Sequence, residues 1–192
     1  MSVISTSPYI ADSLWSRSKV STYIQISLLT MLTIVSAQVV IPLPFTPIPI
    51  TLQTFAILFG AAALGPNKST IAQTLYILLA LIGFPVLASD KGGFEAVFGA
   101  TAGYLFAFIL SSYVVGILAK KFSTKLVINV FISYFAGTLL IYLLGASWLS
   151  FYTGNGIIYG IEKGVLPFII GDILKAFLAA SLLPITWRLI KK

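Results

Sequence analysis

Apolar residues run through this chain in long blocks, interrupted by short stretches that carry prolines, glycines or charges. The blocks cover about 20–41, 52–64, 69–87, 97–119, 126–148 and 167–187. A helix crossing a bilayer needs about 20 mostly apolar residues. Five blocks match that length, and the second is short unless the loop before it adds depth. The pattern predicts an all-α membrane protein with six transmembrane helices.

The interruptions have their own chemistry. "PLPFTPIPIT" (42–51) holds four prolines, which remove backbone donors and fix φ, so it is an extended or turning segment. Being apolar as well, it is expected to fold back onto the bundle as a cap. "GPNK" (65–68) reads as a tight turn, and Gly83 with Pro85 breaks the third block. "ASDKGGFEA" (88–96), "KKFSTK" (120–125) and the glycine- and aromatic-rich "SFYTGNGIIYGIEKG" (150–164) read as loops. Pro167 suits the first turn of the last helix. Residues 1–19 are mixed and polar, without the basic start and short apolar core of a cleaved signal peptide. They read as a cytoplasmic lead, with Trp15 available to an interfacial helix. No internal repeat or linker divides the chain, so residues 1–192 are expected to form one integral membrane domain.

Composition sharpens this picture. The chain is 58% hydrophobic and only 9% charged, against about 25% charged in soluble domains. Its net charge of +7 could suggest nucleic acid, but the cations sit in the interruptions. Placing the N-terminus inside puts nine basic residues on the cytoplasmic side: Arg17, Lys19, Lys68, Lys120, Lys121, Lys125, Arg188, Lys191 and Lys192. Only Lys91 and Lys163 then fall outside. The positive-inside rule therefore predicts a multi-pass protein with both termini in the cytoplasm.

Several activities are excluded. Without Cys or His there is no disulfide framework, no thiolate or imidazole metal site and no His-dependent nucleophile. The nearest approach to a phosphate-binding GxxxxGK[ST] loop, "GAAALGPNKS" (60–69), has its lysine two positions late. An aspartyl intramembrane protease needs two carboxylates, and Asp172 is the one acidic residue deep in a predicted span. No span repeats charges that could ring a channel. The chain is not expected to be an enzyme.

Asp172 and Lys175, in "GDILKAFLAA" (171–180), therefore stand out. Their i, i+3 spacing puts them on one helix face, about 8 Å and one further turn into the membrane. A charge at a span's centre costs roughly 2.5–3.5 kcal/mol. The face must meet protein, water or a ligand. One reading is an ion pair that locks the last helix to its neighbours; the other is the polar floor of a solute-binding cavity. Gln53, Gln73, Tyr76 and Tyr104 could converge there, although each could equally be an interhelical hydrogen-bonding residue.

Three segments then carry a resemblance. "AQVVIPLPFTPIPITLQTFAILFGAAALGP" (37–66), "LYILLALIGFPVLASDKGGFEAVFGATAGYLFAF" (75–108) and "PFIIGDILKAFLAA" (167–180) resemble, in order, the BioY family of biotin-specific S-components of energy-coupling-factor (ECF) transporters. The fifth span carries no matching motif. The resemblance implies a six-helix S-component bundle that binds biotin from outside with high affinity. It implies an EcfT-like membrane subunit and two ATPase subunits as partners, with ATP acting only through them and no cofactor on this chain. Asp172 would accept from a ureido N–H and Lys175 donate to the ureido oxygen. Phe45, Tyr76 and Tyr104 would cover the thiophane ring. Lys91, with backbone donors of Gly92 and Gly93, would take the tail carboxylate, and the proline loop with Phe45 and Thr46 would act as a lid. Ser27, Thr30, Thr33 and Ala37 are the small residues expected to dock on a membrane partner. The alternatives are an S-component for another small vitamin, or a solitary proton-coupled transporter in which Asp172 carries the proton.

Overall fold

The structure is a computed structural model that describes residues 8–14 and 18–190. Trp15 and its interfacial role, together with Arg17, Lys191 and Lys192, lie outside the described residues. The chain begins with a short helix α1 (Ile10–Leu14), followed by α2 (Lys19–Gln38) and a two-stranded pair, β1 (Val40–Ile41) and β2 (Ile50–Thr51). Then come α3 (Gln53–Leu64), α4 (Pro66–Leu81), α5 (Phe94–Val97), α6 (Ala102–Phe122), α7 (Val127–Thr153), α8 (Gly156–Gly164) and α9 (Ile169–Ile190).

Among the described residues, four helical stretches are long and apolar enough to cross a membrane: Lys19–Gln38, Ala102–Phe122, Val127–Thr153 and the run Gly156–Leu189. Gln53–Leu64 is a shorter apolar helix. The long helices expose large apolar side chains such as Met31, Phe135, Leu143 and Leu174, the surface of a protein solvated by lipid.

Helix ends follow local chemistry. Ser18 caps α2, its hydroxyl accepting from the Ser21 N–H at 3.1 Å. The expected turn at 65–68 is shorter than its four residues, because Pro66 opens α4 directly, a position where its missing donor costs nothing. Gly83, at φ +101°, lies just beyond the end of α4. Gly154 stops α7 in the left-handed conformation five residues beyond the predicted boundary. Pro167 sits in a 3-10 turn just before α9 rather than in its first turn.

Two segments differ in kind from the sequence reading. Val40 and Ile41, assigned to the first span, pair as β1 with Ile50 and Thr51, in the register Val40↔Thr51 and Ile41↔Ile50. The arms of the proline segment are thereby fixed as a narrow ribbon. Residues 156–164, read as loop because of their glycines, form α8. Gly160 and Gly164 are its buried residues, and a Cβ at Gly160 would lie 2.4 Å from the Ala146 carbonyl oxygen on α7. The glycines permit close packing there instead of breaking the helix.

The core joins α3, α4, α6, α7 and α9, with Ile57, Leu58, Tyr76, Val115, Ile141 and Leu183 among its fully buried members. The bundle is fastened at one end through α1. Lys68 pairs with Asp12 and donates to Gln25. The Tyr9 hydroxyl donates to the Gly116 carbonyl at 3.3 Å. Burial, and then the Asp12 carboxylate, holds the Tyr9 phenol above its ordinary pKa, so it remains a donor. At the opposite end lie the β1–β2 ribbon, residues 83–98 and α8, and there the site opens.

Candidate functional site

Asp172 lies in the first turn of α9, where a carboxylate also meets the positive end of the helix dipole. It is 5% exposed. Lys175, one turn on, reaches back to Asp172 Oδ1 at 2.8 Å. Two other helices complete the cluster. Thr54 of α3 donates to Oδ1 at 3.0 Å and accepts from Lys175 Nζ at 2.8 Å. Tyr142 of α7 donates to Oδ2 at 2.6 Å. The buried ions are thus paired and hydrogen-bonded, the condition under which such a pair is tolerated.

Counting capacity shows what the cluster has left. Oδ1 accepts two bonds and Oδ2 one, and Nζ uses two of its three hydrogens. An acceptor site on Oδ2 and one ammonium hydrogen stay open. A mutual lock would have no use for these. Instead Asp172 and Lys175 face a cavity of about 120 Å³, far above the roughly 10–15 Å³ that a single water requires.

The cavity walls come from the proline segment, the turn 87–91 and the helices α3, α6, α7 and α9. Pro47, Ile48 and Pro49 of the proline segment cover one side, with Leu105, Phe108, Ile141 and Phe168 forming apolar walls. Lys91 and Ser89 stand at another side on the turn 87–91. That turn is closed by the Leu87 N–H donating to the Lys91 carbonyl at 2.9 Å. Ser89 and Asp90 have φ of +60° and +54° within it, an uncommon and costly conformation for residues other than glycine. Gln38 of α2 holds the strained turn in place, donating to the Leu87 carbonyl at 3.2 Å and accepting from the Asp90 N–H at 3.3 Å. Among the described residues no cluster of His, Cys, Asp or Glu could hold a metal ion.

With this geometry in view, comparison with known proteins is decisive. The BioY family model matches residues 11–192. The chain belongs to the BioY family. The biotin transporter BioY of Thermotoga maritima is 40% identical over 160 residues, covering 82% of this chain and 90% of that protein. Biotin transporter BioY of Lactococcus lactis is 34% identical over 142 residues, covering 72% and 75%. Among solved structures, the S-component for biotin from an ECF-type ABC transporter superposes with a TM-score of 0.81 at 31% identity, over 93% of this chain and 95% of that one. This chain is accordingly a mostly helical, multi-pass membrane protein with the S-component fold.

In this BioY chain the sequence-predicted residues separate into two groups. Asp172, Lys175, Gln53, Lys91 and Tyr104 line the cavity. Tyr76 does not: it is fully buried behind Gln53, whose Nε2 donates to its hydroxyl at 2.8 Å. Gln73 lies between α4 and α2, donating to Thr33 at 3.2 Å and away from the cavity. Phe45 is half exposed beneath the Lys163 ammonium, 5.6 Å from its ring centre. Thr46 donates to the Lys163 carbonyl at 2.8 Å, so both residues fasten the proline segment to α8 without touching the cavity. Gly92 and Gly93 are also outside its lining. The Gly93 N–H is committed to the Ala80 carbonyl at 2.7 Å, and an anion nest there would have to do without it.

The docking assignment needs a larger correction. Thr30, Thr33 and Ala37 are buried. Thr30 donates to the Ala72 carbonyl at 3.1 Å, so these small residues bring α4 close to α2. Only Ser27 is exposed, on the face shared with Ile24, Leu28, Met31 and Val35.

Sequence reasoning missed Thr54, Tyr142 and Phe168. Thr54 and Tyr142 meet Asp172 across separations of 118 and 30 residues, which no local pattern encodes. A signal was nonetheless present on α7. Tyr134, Thr138 and Tyr142 recur every fourth residue in an otherwise apolar helix, marking a hydroxyl-bearing face.

Proposed function

We propose that this chain is the biotin-binding S-component of an ECF-type importer and serves biotin uptake. The observation that carries the reading is the Asp172–Lys175 pair, buried yet facing a cavity with one acceptor site and one donor hydrogen unspent. Membership of the BioY family supports biotin as the solute.

The chemistry of the ligand fits the floor. The ureido ring of biotin presents an N–H and its carbonyl side by side on one edge. The open acceptor site on Asp172 Oδ2 and the unspent hydrogen of Lys175 Nζ, on side chains paired at 2.8 Å, are the matching acceptor and donor. Phe108, Ile141, Phe168 and the Tyr104 ring face the thiophane, and Lys91 attracts the tail carboxylate near the mouth. The proline segment covers the bound ligand as a lid, held to α8 by Thr46 and Phe45.

In the bilayer, residues 1–192 act as one domain whose six spans are α2, α3, α4, α6, α7 and α9. The proline segment faces outward and both termini lie in the cytoplasm. The partners are an EcfT-like membrane subunit and two ATPases, and the docking surface includes the outward face of α2 at Ser27. Transport, not catalysis, is the function. Binding of biotin, thiamine and riboflavin to the purified, detergent-solubilised chain tests the ligand. Sub-micromolar binding of biotin alone is expected. Binding of either other vitamin without biotin would overturn the assignment. Uptake that stops with an inactive ATPase partner supports the importer. Uptake abolished by a protonophore while ATP is maintained would favour the solitary proton-coupled route.

A further inference from the structure

Ser89 and Asp90, at φ of +60° and +54°, make the turn 87–91 a left-handed pair without glycine. Such backbone is uncommon outside glycine, and Asp tolerates it better than most side chains do. Nearby, the chain uses glycine for positive φ, at Gly83 (+101°) and Gly93 (+89°). A serine at 89 therefore keeps a side chain where glycine would fit with less strain. Asp90 does not line the cavity, but Ser89 does, together with Lys91. Both are exposed, in contrast to the buried Asp172 on the floor.

A strained conformation persists only where its surroundings enforce it. Here the enforcement comes from two sides. Gln38, the last residue of α2, donates from Nε2 to the Leu87 carbonyl at 3.2 Å and accepts at Oε1 from the Asp90 N–H at 3.3 Å. One side chain thus ties the backbone before and after Ser89 to a long helix. On the other side, a Cβ at Gly92 would lie 2.1 Å from the Phe84 carbonyl oxygen. The Gly93 N–H donates to the Ala80 carbonyl at 2.7 Å. The turn has little room to slide, and the backbone carrying Ser89 and Lys91 is fixed at the mouth.

We propose that Ser89 is a specificity-determining contact for the acid end of the ligand, its hydroxyl donating to the tail carboxylate beside the Lys91 ammonium. Gln38 is the positioning residue that keeps Ser89 there. This rests on the reading that the cavity takes biotin with its tail at the mouth. A carboxylate accepts from a hydroxyl and an ammonium at once, and a bond to a charged acceptor is stronger than one to a neutral acceptor. The acidic neighbours Asp90 and Glu95 do not line the cavity, so Lys91 is the charge that the tail meets on this side. The pair selects ligands that end in an acid over those that end in an amide.

The test compares biotin with biotin amide, which keeps the rings and loses the tail charge, on the full chain in detergent. Ser89→Gly removes the hydroxyl and the strain together. It should weaken biotin about fivefold, the scale of one hydrogen bond, and change biotin amide by less than about twofold. Its ligand-free melting temperature should stay equal or rise. Gln38→Leu releases both contacts and should weaken biotin about tenfold, again sparing the amide. In a background carrying Ser89→Gly and Lys91→Gln, Gln38→Leu should have no further effect on biotin affinity, whereas the loss of a merely structural clamp would still reduce it. If Gln38→Leu does not fold, Ser89→Gly decides alone. Wild-type biotin affinity in Ser89→Gly would overturn the proposal, and so would equal losses for biotin and its amide. A wild-type chain that bound neither compound would overturn the ligand assignment itself, and this proposal with it.

Discussion

Among the polar clusters between the described helices, the seam of α2 with α4 and the cluster at Asp172 solve the same problem differently. The seam between α2 and α4 joins Thr30, Thr33 and Gln73, all neutral and all nearly or wholly buried, through bonds to each other and to the Ala72 carbonyl. The cluster at Asp172 is charged, is assembled from three helices, and opens on a cavity. The neutral seam tightens helix packing and lines no part of the cavity. A charged cluster with spare capacity is expensive as mere glue, because a buried ion pair seldom improves on apolar packing. The difference separates a structural polar site from a ligand site more clearly than burial does.

Breaking the charged cluster should have the largest effect. Lys175→Met leaves the Asp172 carboxylate without its cation and is expected to destabilise the chain by about 3–5 kcal/mol. A large drop in melting temperature in detergent would register it. Tyr142→Phe removes one charge-assisted bond from Asp172 Oδ2, and should cost about 1.5–3 kcal/mol, divided between melting temperature and biotin affinity. Lys91→Gln tests the mouth. It should weaken biotin by less than about 1 kcal/mol, as for a solvent-exposed charge, and should leave binding of a biotin amide unchanged. The seam gives the smallest effect. Gln73→Leu discards an amide whose Oε1 is unpartnered, so isothermal titration should return wild-type biotin affinity. Its melting temperature should move by no more than about 1 kcal/mol equivalent. A seam variant that lost biotin binding would erase the distinction between the two clusters.

How far the sequence could lead follows the same division. Helix positions were legible because apolar blocks and the Gly and Pro residues that end them are local features. Asp172 and Lys175 were legible because i, i+3 charges in an apolar block have few explanations. Thr54 and Tyr142 were not, since nothing local separates a threonine or tyrosine that turns to a charge from one that turns to lipid. Gln73 and Tyr76 shared the composition of site residues but belong to closed contacts, and only packing tells these apart. Thr30, Thr33 and Ala37 illustrate the ambiguity of small residues, which serve close approach within a bundle as readily as between subunits. For α8, glycine was taken as a breaker, whereas close contact is what these glycines provide, Gly160 against α7 and Gly164 against Tyr104 of α6 and Leu149 of α7.

The central claim is that Asp172 grips the ligand through its charge. It is tested most directly by the biotin dissociation constant of Asp172→Asn beside that of wild type, both measured on folded protein in the same detergent. The account predicts weakening by about 1.5–3 kcal/mol, or roughly ten- to 150-fold. An unchanged dissociation constant would contradict it and return the pair to a structural role.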